Sequence, residues 1–323
     1  MDLSDTWRPL AVALLGKAEY TTAEIASSAG VDRNDARRLW RALGFPPVAD
    51  DERVFTRSDV EILRAVRELI ELQSTDPDDV VQLTRVIGQS LARVADAQVT
   101  AAADRLERAR EDAPDSDGVP VELVRRIETL APNLEQFLGY VWRRHLLAAL
   151  LRRSATPVAA DHPLTVGFAD LVGFTAFSQA LDTHELAAMV NRFEAIAYEQ
   201  IPERGGRVVK IVGDEVMFAV DDVAAAAEIA LGLVEAHGRD AAVPDVRVGL
   251  ASGPALPWEG DLYGPTVNLA SRLVNLARPS TVLVSEEIGA HLQDNDAFTL
   301  RHLRPVQLKG LGRVRLWVLR RGA

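Results

Sequence analysis

The sequence predicts an all-helical N-terminal domain, residues 1–153, followed by an α+β domain, residues 164–323, with a linker at 154–163. Three observations predict it. Before the linker, apolar residues recur at helical spacing between helix caps. After it, β-prone runs alternate with helical segments. Two breaks punctuate the chain, EDAPDSDGVP at 111–120 and SATPVAADHP at 154–163, of which the second marks the main boundary.

In the N-terminal part, Thr21 or Thr22 can cap a short helix to about Ser28, with Gly30 in the turn. Asp32 can cap a second helix to Leu43, ended by Gly44 and kept from continuing by Pro46 and Pro47. Thr56 and Asp59 resemble a capping box that opens a third. Asp76-Pro77 places a cap before a proline at the first helical position, and Val80, Leu83, Ile87, Leu91 and Val94 then follow the helical period. The last helix, 121–153, carries Leu123, Ile127, Leu130, Leu134, Phe137 and Val141 at the same spacing, with a kink expected at Pro132.

In the C-terminal part, strands are expected at 164–171, 208–212, 215–220, 246–251, 281–284, 298–302 and 313–319. Helices fit 183–201, 222–237 and 265–277. Val212-Gly213-Asp214-Glu215, between two β-prone runs, reads as a tight hairpin turn.

Apolar residues make up 48% of the chain, enough for packed cores, and the net charge is −11 with a pI near 5.1. An acidic surface repels phosphates, which argues against non-specific binding to DNA or to an anionic membrane. There is no cysteine, so disulfides and thiolate metal sites are excluded. No apolar run is long enough for a membrane helix, and Asp2 and Asp5 stand where a signal peptide carries positive charge. The expected location is the cytoplasm.

Three segments carry chemistry. In FADLVGFT, 168–175, Asp170 ends an apolar run before Gly173 and a helix start; it can hold a hard cation, and the backbone amides that follow can hold phosphate. In VVKIVGDEVMF, 208–218, Lys210 interrupts β-branched residues and Asp214 occupies the turn. In DLYGPTVNLASRL, 261–273, Asp261 precedes a turn, and Asn268 and Arg272 fall four apart on one helix face, where the guanidinium fork matches phosphate oxygens. Taken singly, each also fits a plain structural reading: a strand end, an exposed strand lysine, a Gly-Asp turn, a solvated helix face.

Taken together, these segments resemble the class III adenylate and guanylate cyclases across residues 164–319, with each catalytic position of that family filled in order. The resemblance implies a ferredoxin-like core and two Mg²⁺ or Mn²⁺ ions held by Asp170, Asp214 and the Leu171 carbonyl. It implies that Arg272 neutralises the α-phosphate, that Asn268 orients the ribose, and that Phe174, Thr175 and Lys309 lie near the phosphates. Lys210 and Asp261 resemble the base-selecting pair. Adenine offers an acceptor at N1 and a donor at its 6-amino group, which a lysine donor and an aspartate acceptor complement, so ATP is expected over GTP. The resemblance also implies a homodimer with active sites at the subunit interface.

Residues 21–72 resemble a MerR-type helix-turn-helix, with Arg33, Arg37, Arg38 and Arg41 on the helix that would enter a DNA groove. Asp32, Asp35, Asp50, Asp51 and Glu52 crowd the same segment and dilute its basic face, so a regulatory role is expected rather than DNA binding. The whole arrangement is similar to the soluble actinobacterial cyclases, including pH-sensing mycobacterial ones. That implies a coupling role for helix 121–153, which carries Arg143, Arg144, Arg152, Arg153 and a candidate proton sensor, His145. The alternatives are a DNA-binding regulator with a degenerate cyclase domain, or a guanylate cyclase.

Overall fold

The structure, a computed structural model, describes residues 8–73, 76–111, 121–155 and 163–322. The expected breaks at 111–120 and 154–163 fall largely outside the described residues. The chain forms two compact units, Met1–Arg152 and Arg153–Ala323.

The first unit is helical: α1 (Arg8–Leu15), α2 (Thr22–Ala29), α3 (Arg33–Ala42), α4 (Arg57–Gln73), α5 (Pro77–Glu111) and α6 (Val121–Ala155), the last running on into the second unit. The caps act as their sequences suggest. The Thr21 hydroxyl accepts the Glu24 N–H at 3.3 Å while the Glu24 carboxylate accepts the Thr21 N–H at 2.8 Å. Asp32 accepts the Asn34 N–H at 2.7 Å, and Thr56 and Asp59 exchange the bonds of a capping box. Ile25, Ala29, Phe55 and Val60 form a small core, edged by Tyr20, Trp40 and Leu63. Helix α6 passes through Pro132 without interruption, although proline there removes the N–H that would reach the Glu128 carbonyl. Much of its apolar surface, including Phe137, Trp142, Leu147 and Leu150, is exposed, as is His145.

The second unit has the expected α+β class. In chain order it comprises β1 (Leu164–Leu171), α7 (Phe174–Ala180), α8 (Thr183–Glu203), β2 (Arg207–Val212), β3 (Glu215–Val220), α9 (Val223–Arg239), β4 (Val246–Gly253), β5 (Leu256–Trp258) and β6 (Asp261–Tyr263). There follow α10 (Pro265–Leu276), β7 (Val282–Ser285), α11 (Glu286–Leu292), β8 (Phe298–His302), β9 (Val306–Leu308), β10 (Gly312–Val314) and β11 (Leu316–Arg321). Seven strands form one sheet in the order β2-β3-β1-β4-β7-β11-β8, antiparallel except for the β4–β7 pair. One face carries Ala169, Leu171, Val216, Phe218, Val248 and Leu250, packed with residues of α8, α9 and α11. The other carries Val166, Phe168, Met217, Ala219 and Ala251, packed with Ala270 and Val274 of α10. Gly249 makes the second layer possible, since a β-carbon there would lie 2.3 Å from the Val274 nitrogen and 2.6 Å from the Ala270 carbonyl oxygen.

The strand expected at 313–319 is a correction: it breaks at Arg315, with β10 pairing to β9 in a separate hairpin while β11 joins the main sheet. Propensity is continuous across the break, and only tertiary pairing divides it. The β5–β6 hairpin, β9, α1, α7 as a full helix, and α11 were not expected; all are short. No helix among the described residues is long and apolar enough to cross a membrane.

Candidate active site

Alternation along β1 puts Asp170 on the α10 face with Val166 and Phe168. The ladder then fixes its neighbours: Glu215 of β3 stands opposite on one side and Arg247 of β4 on the other. Both Nε and Nη2 of Arg247 lie 2.6 Å from Asp170 Oδ2, and Nη1 donates to the Asn275 carbonyl at 3.3 Å. Asp214 occupies the β2–β3 turn, whose carbonyl accepts the Leu171 N–H at 3.0 Å and so docks the turn beside Asp170. The Leu171 side chain is buried on the opposite face, leaving only its backbone available to a ligand.

This end of the sheet holds more negative charge than its protein partners neutralise. Asp170 is only 9% exposed, and burial pushes its carboxyl above the ordinary carboxylate range, against the pull of Arg247 and with a further push from Asp214. Glu215 is pushed up to about 7, first by burial and then by the Asp170 and Asp214 carboxylates. Carboxylates that repel each other beside one guanidinium suit a hard divalent cation. Among the described residues no three acidic or histidine side chains gather tightly enough to complete a metal shell. A cation here would therefore complete its shell with backbone carbonyl, water or substrate oxygens, the habit of Mg²⁺.

A second group forms around α10. Lys210 stands opposite Met217 on the α10 face of edge strand β2 and makes an ion pair with Asp261 at the start of β6. Asp261 keeps its orientation because its Oδ1 accepts the Leu262 N–H at 2.8 Å. Helix α10 begins at Gly264-Pro265 and is tied down by the Thr266 hydroxyl, which donates to the Pro254 carbonyl at 2.7 Å. Asn268 and Arg272 project from it, exposed. Among the described residues, no hydrogen bond or ion pair joins Asp170 or Asp214 to Asn268 or Arg272 within one protomer.

The remaining expected residues are more dispersed. Phe174 and Thr175 open α7, whose N-terminus has no side-chain cap; Phe174 is half-buried and Thr175 exposed. Lys309 sits exposed between β9 and β10, a hairpin whose Val306 and Val314 pack with Leu269 and Leu273 of α10. Sequence reasoning missed Arg247 and Glu215. Both alternate correctly along their strands, but only the β3–β1–β4 register brings them to Asp170.

Residues 157–321 match the family described as the adenylate and guanylate cyclase catalytic domain, and residues 8–154 match the adenylate cyclase regulatory domain. The chain belongs to the adenylate and guanylate cyclase family. Relatives carry both parts. An adenylate cyclase of Streptomyces coelicolor is 39% identical over 88% of this chain and 76% of its own length. An adenylate cyclase of Glutamicibacter nicotianae is 36% identical over 95% of this chain and 80% of its own. A pH-sensitive adenylate cyclase of Mycobacterium tuberculosis is 33% identical over 94% and 79% respectively. The acidic row and the α10 group of this cyclase both lie within the matched catalytic segment.

Proposed function

We propose that this cyclase converts ATP to 3′,5′-cyclic AMP and pyrophosphate at sites shared between the two subunits of a homodimer. The observation that carries the substrate is the Lys210–Asp261 pair. After bonding Asp261, the lysine ammonium keeps N–H donors for adenine N1, and the Asp261 carboxylate keeps lone pairs for the 6-amino group. Guanine reverses both groups and would leave them unpaired, a mismatch that can reject a substrate by roughly 10⁴-fold. Relatives named adenylate cyclases support the same choice.

Asp170, Asp214 and the Leu171 carbonyl are the groups that would hold two Mg²⁺ or Mn²⁺ ions. Bound there, divalent cations lower the pKa of the ribose 3′-hydroxyl and screen the phosphates. The 3′-oxygen gives up its proton to solvent water and attacks the α-phosphorus in line, and the bond to the bridging oxygen of pyrophosphate breaks. Arg272 neutralises charge growing on the α-phosphate, and Asn268 holds the ribose so that its 3′-oxygen stays aligned. The free amides at Phe174 and Thr175, together with Lys309, face the phosphate chain.

Sharing between subunits is supported by a nonpolar arm. Leu256, Trp258 and Tyr263 are all exposed on the β5–β6 hairpin, a surface that a second copy would cover. The 1–153 part is read as a regulatory domain that responds to pH or a ligand, with α6 as the coupling helix. The helix-turn-helix-like segment 21–72 belongs to it. Two arginines of its α3 are tied to Asp50 and one to Asp78, which weakens the case for a DNA-reading face.

The test is turnover by the purified full chain, with ATP or GTP as substrate, Mn²⁺ or Mg²⁺ as metal and EDTA as control. Metal-dependent cyclic AMP from ATP is expected, with little cyclic GMP. Failure to turn over either nucleotide, or a preference for GTP, would remove the proposal.

A further inference from the structure

Between α3 and α5 the first unit holds an open polar cleft of about 430 Å³, lined by Asn34, Arg37, Arg38, Arg41, Val81 and Arg85. Its shape follows from one contact. Gly88 of α5 lies against the C-terminus of α3, where a β-carbon would come within 2.5 Å of the Leu43 carbonyl oxygen. The helices touch there, while toward Asn34 and Val81 their arginines face a common space.

The local carboxylates neutralise this space only in part. Asp50 is shared by Arg33 and Arg37, so it cannot balance both. Asp78 accepts from Arg38 at 2.6 Å. Arg41 is exposed and, among the described residues, meets no carboxylate. Clustered guanidinium groups repel one another, and a concave set of them is matched by an anion with several oxygens, each able to accept a pair of N–H bonds. The cavity also falls within the size range of small-ligand sites. A duplex, by contrast, needs an extended basic face, and the Asp50 and Asp78 pairs interrupt it here.

We propose that the α3–α5 cleft binds a small phosphorylated anion of two or more charges, so that the N-terminal unit carries a ligand site separate from the nucleotide site. Arg41 grips the ligand from α3, Arg85 of α5 turns part of its present bonding toward it from the opposite helix, Arg38 exchanges part of its bond to Asp78 for the ligand, and Asn34 donates an amide N–H.

The probe is inorganic triphosphate, added to the full chain in EDTA, with amide hydrogen exchange as the readout because it separates this cleft from the catalytic unit. Slower exchange is expected in peptides covering 33–43 and 77–88. The concentration needed should rise about tenfold or more in Arg41→Ala and in Arg85→Ala, as expected for the loss of a charge-assisted hydrogen-bond pair. Arg272→Ala should leave the effect on these peptides unchanged. Arg41→Lys guards against an alanine form that fails to fold: it keeps charge and helix propensity but loses the fork, so binding should weaken while exchange of the unliganded protein stays the same. No protection up to millimolar probe, protection that persists in the alanine variants, or protection by a short DNA duplex but not by triphosphate would each overturn the proposal.

Discussion

Lys210 of β2 and Asp261 of β6, 51 residues apart in sequence, meet as an ion pair on the α10 side of the sheet. A lysine inside a β-branched run needs a partner or a ligand, and here Asp261 is the partner. The pair also leaves one surplus donor group and one surplus acceptor group side by side, which is the basis of the selectivity proposed above.

Removing the donor should therefore cost selectivity as well as rate. Lys210→Gln is expected to lower kcat/KM for ATP roughly 100-fold or more and to narrow the ATP-to-GTP ratio. Competing-substrate assays read both quantities. A variant that loses rate equally for both nucleotides would assign Lys210 a merely structural part.

Among the described residues, Arg247 is the one guanidinium bonded to Asp170. Arg247→Met leaves a mostly buried carboxyl without its partner and should destabilise the metal-free protein by about 1–3 kcal/mol. Mn²⁺ should recover more stability in this variant than in the wild type, because the cation then supplies the missing charge. Thermal melts with and without Mn²⁺ measure the difference, and equal shifts in the two proteins would contradict it.

Gly249→Ala tests how α10 is seated. The added methyl meets backbone atoms of α10 at 2.3 and 2.6 Å, so the helix must move. We expect about 1–3 kcal/mol of lost stability, together with a fall in kcat as Asn268 and Arg272 shift. Unfolding and turnover measured on the same sample check both. Unchanged kcat in a destabilised but folded variant would separate the seating of α10 from catalysis.

His237 is buried in α9, its Nδ1 2.8 Å from the Leu233 carbonyl and its Nε2 without a partner among the described residues. Burial lowers its pKa below the ordinary 6.5. The unfolded chain thus binds a proton that the folded chain refuses. This contribution to stability is complete above pH 6.5 and is lost as pH falls toward the depressed folded value. His237→Phe should flatten the dependence of the urea midpoint on pH in that window. A slope that survives the substitution would place its origin elsewhere.

Most of this architecture was legible because it is local. Thr21, Asp32 and Thr56 announce helix starts by chemistry that acts within three residues, and β1 and β3 were bounded correctly by apolar runs between turn residues. The Gly213-Asp214 turn was equally plain. What stayed hidden depends on pairing between distant segments. Arg247 reads as an ordinary polar position of an alternating strand until β4 is set against β1. Arg315 breaks a continuous β-prone run only because β10 and β11 belong to different sheets. The cleft between α3 and α5 needs Gly88 to meet Leu43, 45 positions earlier in the chain, a contact that no periodicity announces.

A site completed by two protomers is tested most directly by complementation. Asp170→Ala and Arg272→Ala proteins should each be nearly inactive. Mixed in equal amounts and allowed to exchange subunits, they should recover about a quarter of wild-type activity, since half the dimers are mixed and each holds one intact site. Mixed dimers demonstrated by differential tagging that remain as inactive as either parent would contradict the shared site.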